Sequence, residues 1–204
     1  MLLALLGLLM AFTFSGAWTR FDARRDLIVR EANAIGSAWM LLDLLPATTA
    51  EPLRDSFRRY VDLRLAATRA DEARPSAEID GAQRAIWRAS VAAAQAAPDG
   101  RISQSLLPAV NAMTDVATAR YQAVLSHTPQ VVFLLLLTVM MIAAMLAGHG
   151  MAGGERRNWL HIGCFLGAMI LTLYVTVDLE YPRRGLMRLD GFDQVLIDLR
   201  AGMK

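Results

Sequence analysis

Cysteine is nearly absent from this sequence of 204 residues: Cys164 is its one cysteine, and it lies inside an apolar run. A disulfide framework needs cysteine pairs and a thiolate zinc site needs several ligands, so neither can be built within one chain. The histidines His127, His149 and His161 lie near the ends of apolar runs and are not spaced as ligands, which indicates interfacial side chains. We therefore expect no metal site and no cofactor, and interpret Cys164 as a small buried apolar side chain.

The chain also lacks an excess of charge of either sign. Its 21 Lys and Arg residues and 19 Asp and Glu residues leave a net charge of +2, so a general attraction to nucleic acid is not indicated. Nothing in the sequence resembles a Gly-rich phosphate loop, a pair of catalytic carboxylates or a nucleophile with its base. These absences argue against an enzyme and against a nucleic-acid partner.

Charged residues are missing from three long apolar runs, which cover residues 1–18, 131–148 and 160–177. About 20 apolar residues cross the roughly 30 Å hydrocarbon layer of a membrane, and each run comes close to that length. Aromatic residues that suit the headgroup level lie at the edges of the runs: Trp18, Trp159, Tyr174 and Tyr181. The sequence thus predicts an all-α membrane protein with three transmembrane helices and with lipid as a partner.

The first run has an alternative interpretation as a secretory signal, because Ser15-Gly16-Ala17 is an acceptable cleavage site. However, no Lys or Arg precedes the apolar core, and several arginines follow it at once. They are Arg20, Arg24, Arg25 and Arg30. This pattern favours a transmembrane helix whose C-terminal end stays in the cytoplasm.

The arginines of the connecting segments predict one topology. The segment between the first and second runs contains 14 Arg, the short turn between the second and third contains Arg156 and Arg157, and the tail contains four Arg and Lys204. Basic residues near membrane ends favour the cytoplasmic side. We expect the N-terminus outside, a helical domain at 19–128 in the cytoplasm, a short external turn, and a cytoplasmic tail at 178–204.

The predicted cytoplasmic domain starts as a continuation of the first transmembrane helix. Apolar residues recur with a 4-3-4-3 spacing from Ile28 to Leu42, which predicts that this helix continues to about Leu45. Pro46 and Thr48-Thr49 are predicted to end it.

Amphipathic patterns then predict a helix at 51–70, a turn at 71–76, a third helix up to the Pro98-Asp99-Gly100 turn, and a fourth helix before Pro129. Four such helices form a bundle inserted between the first and second transmembrane helices, and their apolar stripes are either its core or subunit contacts.

Two acidic residues and then two arginines lie where the third run meets the tail, in Asp178-Leu179-Glu180-Tyr181-Pro182-Arg183-Arg184-Gly185. Carboxylates at a helix C-terminus oppose the helix dipole, so Asp178 and Glu180 need cationic partners. The candidate partners, which we group with both acids as cytoplasmic-interface charges, are Arg20, Arg24, Arg25, Arg183 and Arg184. A cation site is the alternative, but two carboxylates fall short of the oxygens that calcium requires.

Two segments carry a resemblance to known proteins. Leu6 to Phe12, followed by Arg20-Phe21-Asp22-Ala23-Arg24-Arg25, resembles the second membrane helix of bestrophins, pentameric anion channels in which an Arg and aromatic residues follow a Phe by eight positions. The second half, with Asp178-x-Glu180-x-Pro182-x-x-Gly185, is similar to a large bacterial family described as bestrophin-like. That similarity extends over nearly the whole chain.

The resemblance implies that Ala4, Leu8 and Phe12 form a hydrophobic constriction in the pore of a homo-oligomer, a pentamer in bestrophins. Residues four apart share one helix face, and a ring of apolar side chains can gate a pore by dewetting, although the same face could contact lipid. The resemblance also implies a bacterial inner membrane and a permeant ion, and the arginines near the inner surface favour an anion. Phospholipid headgroups would suit those arginines equally well.

The sequence departs from bestrophins at several points. Ala4 would form a wide ring, Asp22 replaces the second aromatic residue, and the acidic cluster that binds calcium after the last membrane helix is absent, so calcium gating is not implied. Related proteins generally have another membrane helix before the one in which this sequence begins. That helix is either lost or missing from the gene annotation.

Two functions are consistent with these patterns. The first is an oligomeric ion channel whose first helix lines the pore. The second is a membrane-anchored helical scaffold or signalling module, which conducts nothing and binds a soluble partner through residues 19–128. A single copy with three spans cannot enclose a pore, so the native mass in detergent distinguishes the two.

Overall fold

The computed structural model describes residues 2–69, 76–96, 100–150, 159–181, 186–187, 191 and 193–204. Within these ranges the secondary structure is helical and contains no strand. A short 3-10 turn covers Leu41–Leu44, between the first and second long helices. The helices are α1 (Leu2–Met40), α2 (Ala47–Arg69), α3 (Ala77–Ala96), α4 (Arg101–Leu125), α5 (Gln130–Gly150), α6 (Trp159–Glu180) and α7 (Gln194–Gly202).

The chain forms two compact units, and α1 contributes to both. The first, here called the apolar unit, comprises Met1–Asp22 and Ser126–Arg188. The second, the bundle unit, comprises Ala23–Leu125 and Leu189–Lys204.

Among the described residues, three helices are long and apolar enough to cross a membrane, as the sequence analysis predicted. Their most apolar 18-residue windows have mean hydropathies of 1.3, 2.4 and 1.9, in helical stretches that cover 3–44, 101–146 and 162–180. In α1 the charge-free part is residues 2–19. The chain itself buries 17%, 11% and 17% of the three windows, so most of their apolar surface is uncovered.

A small core holds the apolar unit together. Leu6 and Met10 of α1 pack with Leu136 and Ala143 of α5, and Met169 of α6 lies against this cluster. Because these residues repeat at four- and seven-residue intervals, each helix gives one narrow stripe to the core. The other faces of each helix are not covered by this core.

The bundle unit has a larger core, built by the amphipathic stripes seen in the sequence. Ile28, Ala32, Ile35 and Leu42 are buried, as are residues on the inward faces of the other helices. These are Leu53, Phe57, Tyr60 and Val61 of α2, Ile79 and Ile86 of α3, and Leu106, Val110 and Met113 of α4. The stripes therefore form intrachain core, which favours that interpretation over subunit contact.

One predicted helix boundary is wrong. α2 begins at Ala47, four residues before the predicted start, whereas α1 continues as the 3-10 helix Leu41–Leu44 and so ends close to the predicted Leu45. The carbonyl of Pro46 accepts hydrogen bonds from the amides of Thr49 and Ala50, both at 2.9 Å. Pro46 thus starts the second helix as well as ending the first, because a proline at a helix start loses no intrahelical bond.

The predicted turns at 71–76 and 98–100 lie largely outside the described residues. Gly100, which is described, has a φ of 66°, in the left-handed region that favours glycine. Gly100 therefore suits the start of α4, whose first turn it joins by accepting a hydrogen bond from Gln104.

The tail contains a helix that the sequence analysis did not predict. The nine residues of α7 belong to the bundle unit, where Leu196 and Met203 are buried. Arg200 of α7 donates hydrogen bonds from Nε to Asp62 Oδ1 at 2.7 Å and from Nη2 to Asp62 Oδ2 at 3.0 Å. Arg58 donates a hydrogen bond to the carbonyl of Met203 at 3.2 Å, so α2 binds both the body and the end of α7.

Candidate functional site

The face of α1 that carries Ala4, Leu8 and Phe12 is exposed over its whole length. The core residues Leu6 and Met10 lie on another face of the helix, and Phe12 is 68% exposed. Residues at i, i+4 and i+8 follow one side of a helix. The three predicted pore residues thus form a continuous apolar surface that their own chain leaves uncovered.

Arg20 follows directly after the charge-free part of α1 and binds the end of α6. Its Nε donates a hydrogen bond to Glu180 Oε1 at 2.9 Å, and its Nη2 contacts both that oxygen and the hydroxyl of Thr128. The Thr128 hydroxyl donates to Glu180 Oε1, and the Thr128 amide donates to Oε2 at 3.3 Å. One of the partners that the sequence suggested for Glu180 is therefore its partner in the structure.

This cluster joins the two motifs that carried the resemblance. Arg20 comes from the Arg-Phe motif after Phe12, and Glu180 from the acidic motif after the third apolar run. Glu180 is buried, and a buried carboxylate is costly unless it is paired and hydrogen-bonded. The cluster fixes α1 against the end of α6 and the segment between α4 and α5.

His127 and Tyr181 border the same carboxylate. Their rings are stacked with centroids 5.2 Å apart, and His127 Nδ1 lies 3.5 Å from Glu180 Oε2. The sequence analysis interpreted His127 as an interfacial side chain. In the structure it is half-exposed and adjoins the Arg20–Glu180 pair.

Asp178 has partners of another kind. Its carboxylate oxygens accept hydrogen bonds from the backbone amides of Leu186 at 2.9 Å and Met187 at 2.8 Å. The side chain therefore satisfies main-chain donors eight and nine residues further along. The other two candidate partners of the acidic motif, Arg183 and Arg184, lie outside the described residues.

Arg24 and Arg25, predicted as interface charges, differ in their surroundings. Arg24 is buried in the bundle unit, and its Nε donates to the carbonyl of Ala123 at 3.0 Å. That carbonyl lies in the last turn of α4, where a cation interacts favourably with the helix dipole. Arg25 is exposed.

The bundle unit contains a buried charge network that the sequence analysis missed. Glu31 is fully buried and binds Arg64 through two hydrogen bonds of 2.7 and 2.9 Å, a bidentate pair. Arg120 contacts the second carboxylate oxygen and lies 3.7 Å from Asp193, and the Tyr60 hydroxyl donates to Glu31 at 3.4 Å.

The network sets the protonation of its members. Burial alone raises the pKa of the Glu31 carboxyl, but the guanidinium groups of Arg64 and Arg120 outweigh burial and hold it below its ordinary value. Burial and the Glu31 charge raise the pKa of the Tyr60 hydroxyl. Glu31 is thus ionised and Tyr60 neutral at physiological pH, so the Glu31 carboxylate faces the guanidinium groups of Arg64 and Arg120.

One signal in the sequence could have revealed this network. Glu31 follows Ile28 by three residues and precedes Ile35 by four, so it lies on the apolar stripe of α1. Arg120 has the same position on α4, four residues from both Val116 and Val124. A charged residue on the apolar face of an amphipathic helix is either buried with a partner or disrupts the helix packing.

Among the described residues, no three His, Cys, Asp or Glu side chains lie close enough together to hold a metal ion. The two charged clusters described above, around Glu180 and around Glu31, are built on arginine–carboxylate pairs. Their arrangement joins helices, and the face of Ala4, Leu8 and Phe12 is one of the apolar surfaces that the chain leaves uncovered.

Comparison with known proteins identifies one family. A family model described as "Bestrophin-like domain" matches residues 2–190, which include the described parts of α1 to α6. No curated protein matches the chain, and no solved structure matches it.

Proposed function

Because the chain belongs to the bestrophin-like family, we propose that it is an ion channel, assembled from several copies around a pore that α1 lines. The observation that carries the proposal is the uncovered face of Ala4, Leu8 and Phe12. In a ring of copies these side chains would form three apolar layers, and the narrowest would resist wetting. Five copies are suggested by the resemblance to bestrophins alone.

The pattern of arginines supports an orientation for this channel. We place the N-terminus outside and both the bundle unit and the C-terminus in the cytoplasm of a bacterium, with the protein in its inner membrane. The support is the 14 Arg between the first two apolar runs, which the positive-inside tendency keeps in the cytoplasm.

Phe12→Ala tests the constriction. The substitution shortens the largest side chain of the exposed face, so we expect a severalfold change in single-channel conductance or open probability of purified protein in planar bilayers. Phe14→Ala is the matched control, because Phe14 is an exposed aromatic residue of the same helix, about 200° round from Phe12. Confirmed oligomers that never conduct would contradict the channel, and equal effects of both substitutions would contradict the constriction.

The scaffold function makes a different prediction. It is favoured by the bundle unit, which has its own core and an open groove of about 380 Å³ between α1 and α7, lined by Gly36, Met40 and Leu199 among others. A stable monomer in detergent, measured by native mass, would support the scaffold, whereas a ring of defined stoichiometry would support the channel.

A further inference from the structure

We propose that the bundle units of neighbouring copies join through two different outer faces, with Arg59 of α2 in one copy paired to Asp115 of α4 in the next. The inference rests on the proposed function, because it takes the copies to form a closed ring. It assigns to that ring a contact surface outside the apolar helices, and the partner of this surface is a second copy of the same chain.

Contacts inside the bundle unit place its four long helices at four corners. Glu31 of α1 pairs with Arg64 of α2 and with Arg120 of α4. Helix α3 packs against α2 and α4. Helices α1 and α3 therefore occupy opposite corners, and α2 and α4 occupy the other two. In a ring around a pore that α1 lines, α1 lies nearest the axis, so α2 and α4 face the neighbouring copies.

The two flanking helices run in the same direction, because both are antiparallel to α1. As the chain advances along α1, its contacts move backwards along each of them. These contacts are Arg24 with Ala123 and Glu31 with Arg120 for α4, and Glu31 with Arg64 and Trp39 with Phe57 for α2.

Arg59 and Asp115 lie at the same level of the bundle unit. Arg64 and Arg120 bind one carboxylate, that of Glu31, which gives these two arginines a common level. Arg59 precedes Arg64 by five residues, a distance of about 7.5 Å along the helix. Asp115 precedes Arg120 by the same number of residues. A ring whose axis runs along the helices keeps each residue at its level, so it can bring these two side chains together.

The same spacing turns both side chains outwards. Five residues correspond to about 500° of helix rotation, so each side chain leaves its helix about 140° from the arginine that binds Glu31. Because α2 and α4 are parallel and lie at opposite corners, Arg59 and Asp115 project from opposite sides of the bundle unit, and both are exposed. Contact between two different surfaces of a subunit is the heterologous kind that closes rings.

The charges of the two outer faces are complementary. Ion pairs within the chain engage the other charged residues of α2, so that among the described residues Arg59 and Arg69 are its cations without such a pair. Asp115 is the one acidic residue of α4, and it accepts a hydrogen bond from the side chain of Asn111 at 3.0 Å. Arg101, an exposed cation of α4, lies fourteen residues away, about 21 Å along the helix. Complementary charges of this kind fix which surfaces meet and in which register.

Charge reversal tests the pair. Arg59→Glu and Asp115→Arg each place like charges at every contact of the ring, so we expect each to raise the concentration at which half of the chains are assembled severalfold. The double variant exchanges the two charges and should restore assembly. Arg88→Glu, at an exposed position of α3, should leave assembly unchanged, because α3 lies at the corner farthest from the axis. Native mass in detergent across a dilution series measures all four variants.

Cross-linking tests the contact without introducing like charges. In a Cys164→Ala background, Arg59→Cys combined with Asp115→Cys should allow a short bis-maleimide to link each copy to the next. The product should be a ladder of covalent multimers that ends at the full ring. Either introduced cysteine alone should give no ladder, because the contact joins two different surfaces.

The outcomes separate this contact from the channel itself. Rings that charge reversal does not weaken, a double variant that assembles no better than the single variants, or paired cysteines that give no ladder would overturn the contact and leave the channel standing. Covalent dimers from Arg59→Cys alone would show that α2 meets α2, which would also overturn it. A chain that stays monomeric at every concentration would overturn the proposed function and this inference together.

Discussion

Glu31 joins three helices of the bundle unit. Its carboxylate is fully buried and bound by Arg64 and Arg120, which come from two other helices. Removing one member of a buried ion pair leaves the other charges without compensation and costs about 3–5 kcal/mol. We expect Glu31→Gln to lower the free energy of unfolding by this amount, measured by chemical denaturation in detergent. Glu78→Gln, in an exposed position of α3, should have almost no effect.

The same carboxylate makes stability depend on pH. Because the pKa of Glu31 is lower in the folded state, its contribution is complete above the unfolded-state pKa of about 4.3 and is lost as the pH falls through the folded-state pKa. Melting temperatures measured from neutral to acidic pH should therefore fall more steeply for the wild type than for Glu31→Gln. Parallel curves would show that the pKa of Glu31 is the same in the folded and unfolded states.

A pair of residues could be predicted from the sequence where the position of each residue relative to the membrane limits its possible partners. Arg20 and Glu180 each lie at the end of an apolar run, and the sequence analysis named the arginines after the first run among the partners of Glu180. No such restriction applies to Glu31, whose partners are 33 and 89 residues away in the chain. Which side chains meet inside a bundle depends on how its helices pack, and periodicity does not determine that.

Among the helices, α7 shows how much a short segment gains from its neighbours. A nine-residue helix is not stable in isolation, so its contacts with α2 and the burial of Leu196 must maintain it. We expect Leu196→Ala to lower the free energy of unfolding by about 2–5 kcal/mol. The neighbouring Ile197 is 38% exposed, so Ile197→Ala should cost much less, and equal losses would show that α7 is not packed as described. Denaturation followed by circular dichroism measures both.

The difference between local signals and contacts with neighbouring helices explains which helices could be predicted from the sequence. The long helices have periodic apolar stripes or uninterrupted apolar runs, and these signals are local. The start of α2 was misplaced because Thr48 and Thr49 were interpreted as part of the signal that ends the first helix, whereas they belong to the first turn of α2, whose amides bond to the Pro46 carbonyl. Nothing comparable marks α7, whose short stripe is recognisable only with α2 beside it.

At the scale of the whole molecule, the predicted orientation can be tested with one introduced cysteine, because the chain has a single cysteine that can be replaced. Cys164→Ala gives a background without cysteine. Ser105→Cys, at an exposed position of α4, should then react with a membrane-impermeant maleimide only after bacterial cells are opened. Labelling in intact cells would place the bundle unit outside and contradict the positive-inside assignment.

The three apolar helices bury few of their residues against one another, and this affects how the protein behaves once it is extracted. A single chain would carry a detergent belt around almost its entire circumference, whereas neighbours in a ring would displace much of that belt. Detergent bound per polypeptide, obtained from combined refractive-index and absorbance measurements, should therefore drop when copies assemble. A substitution that weakens assembly should therefore increase the mass of detergent bound per polypeptide, and this can be measured without recording a current.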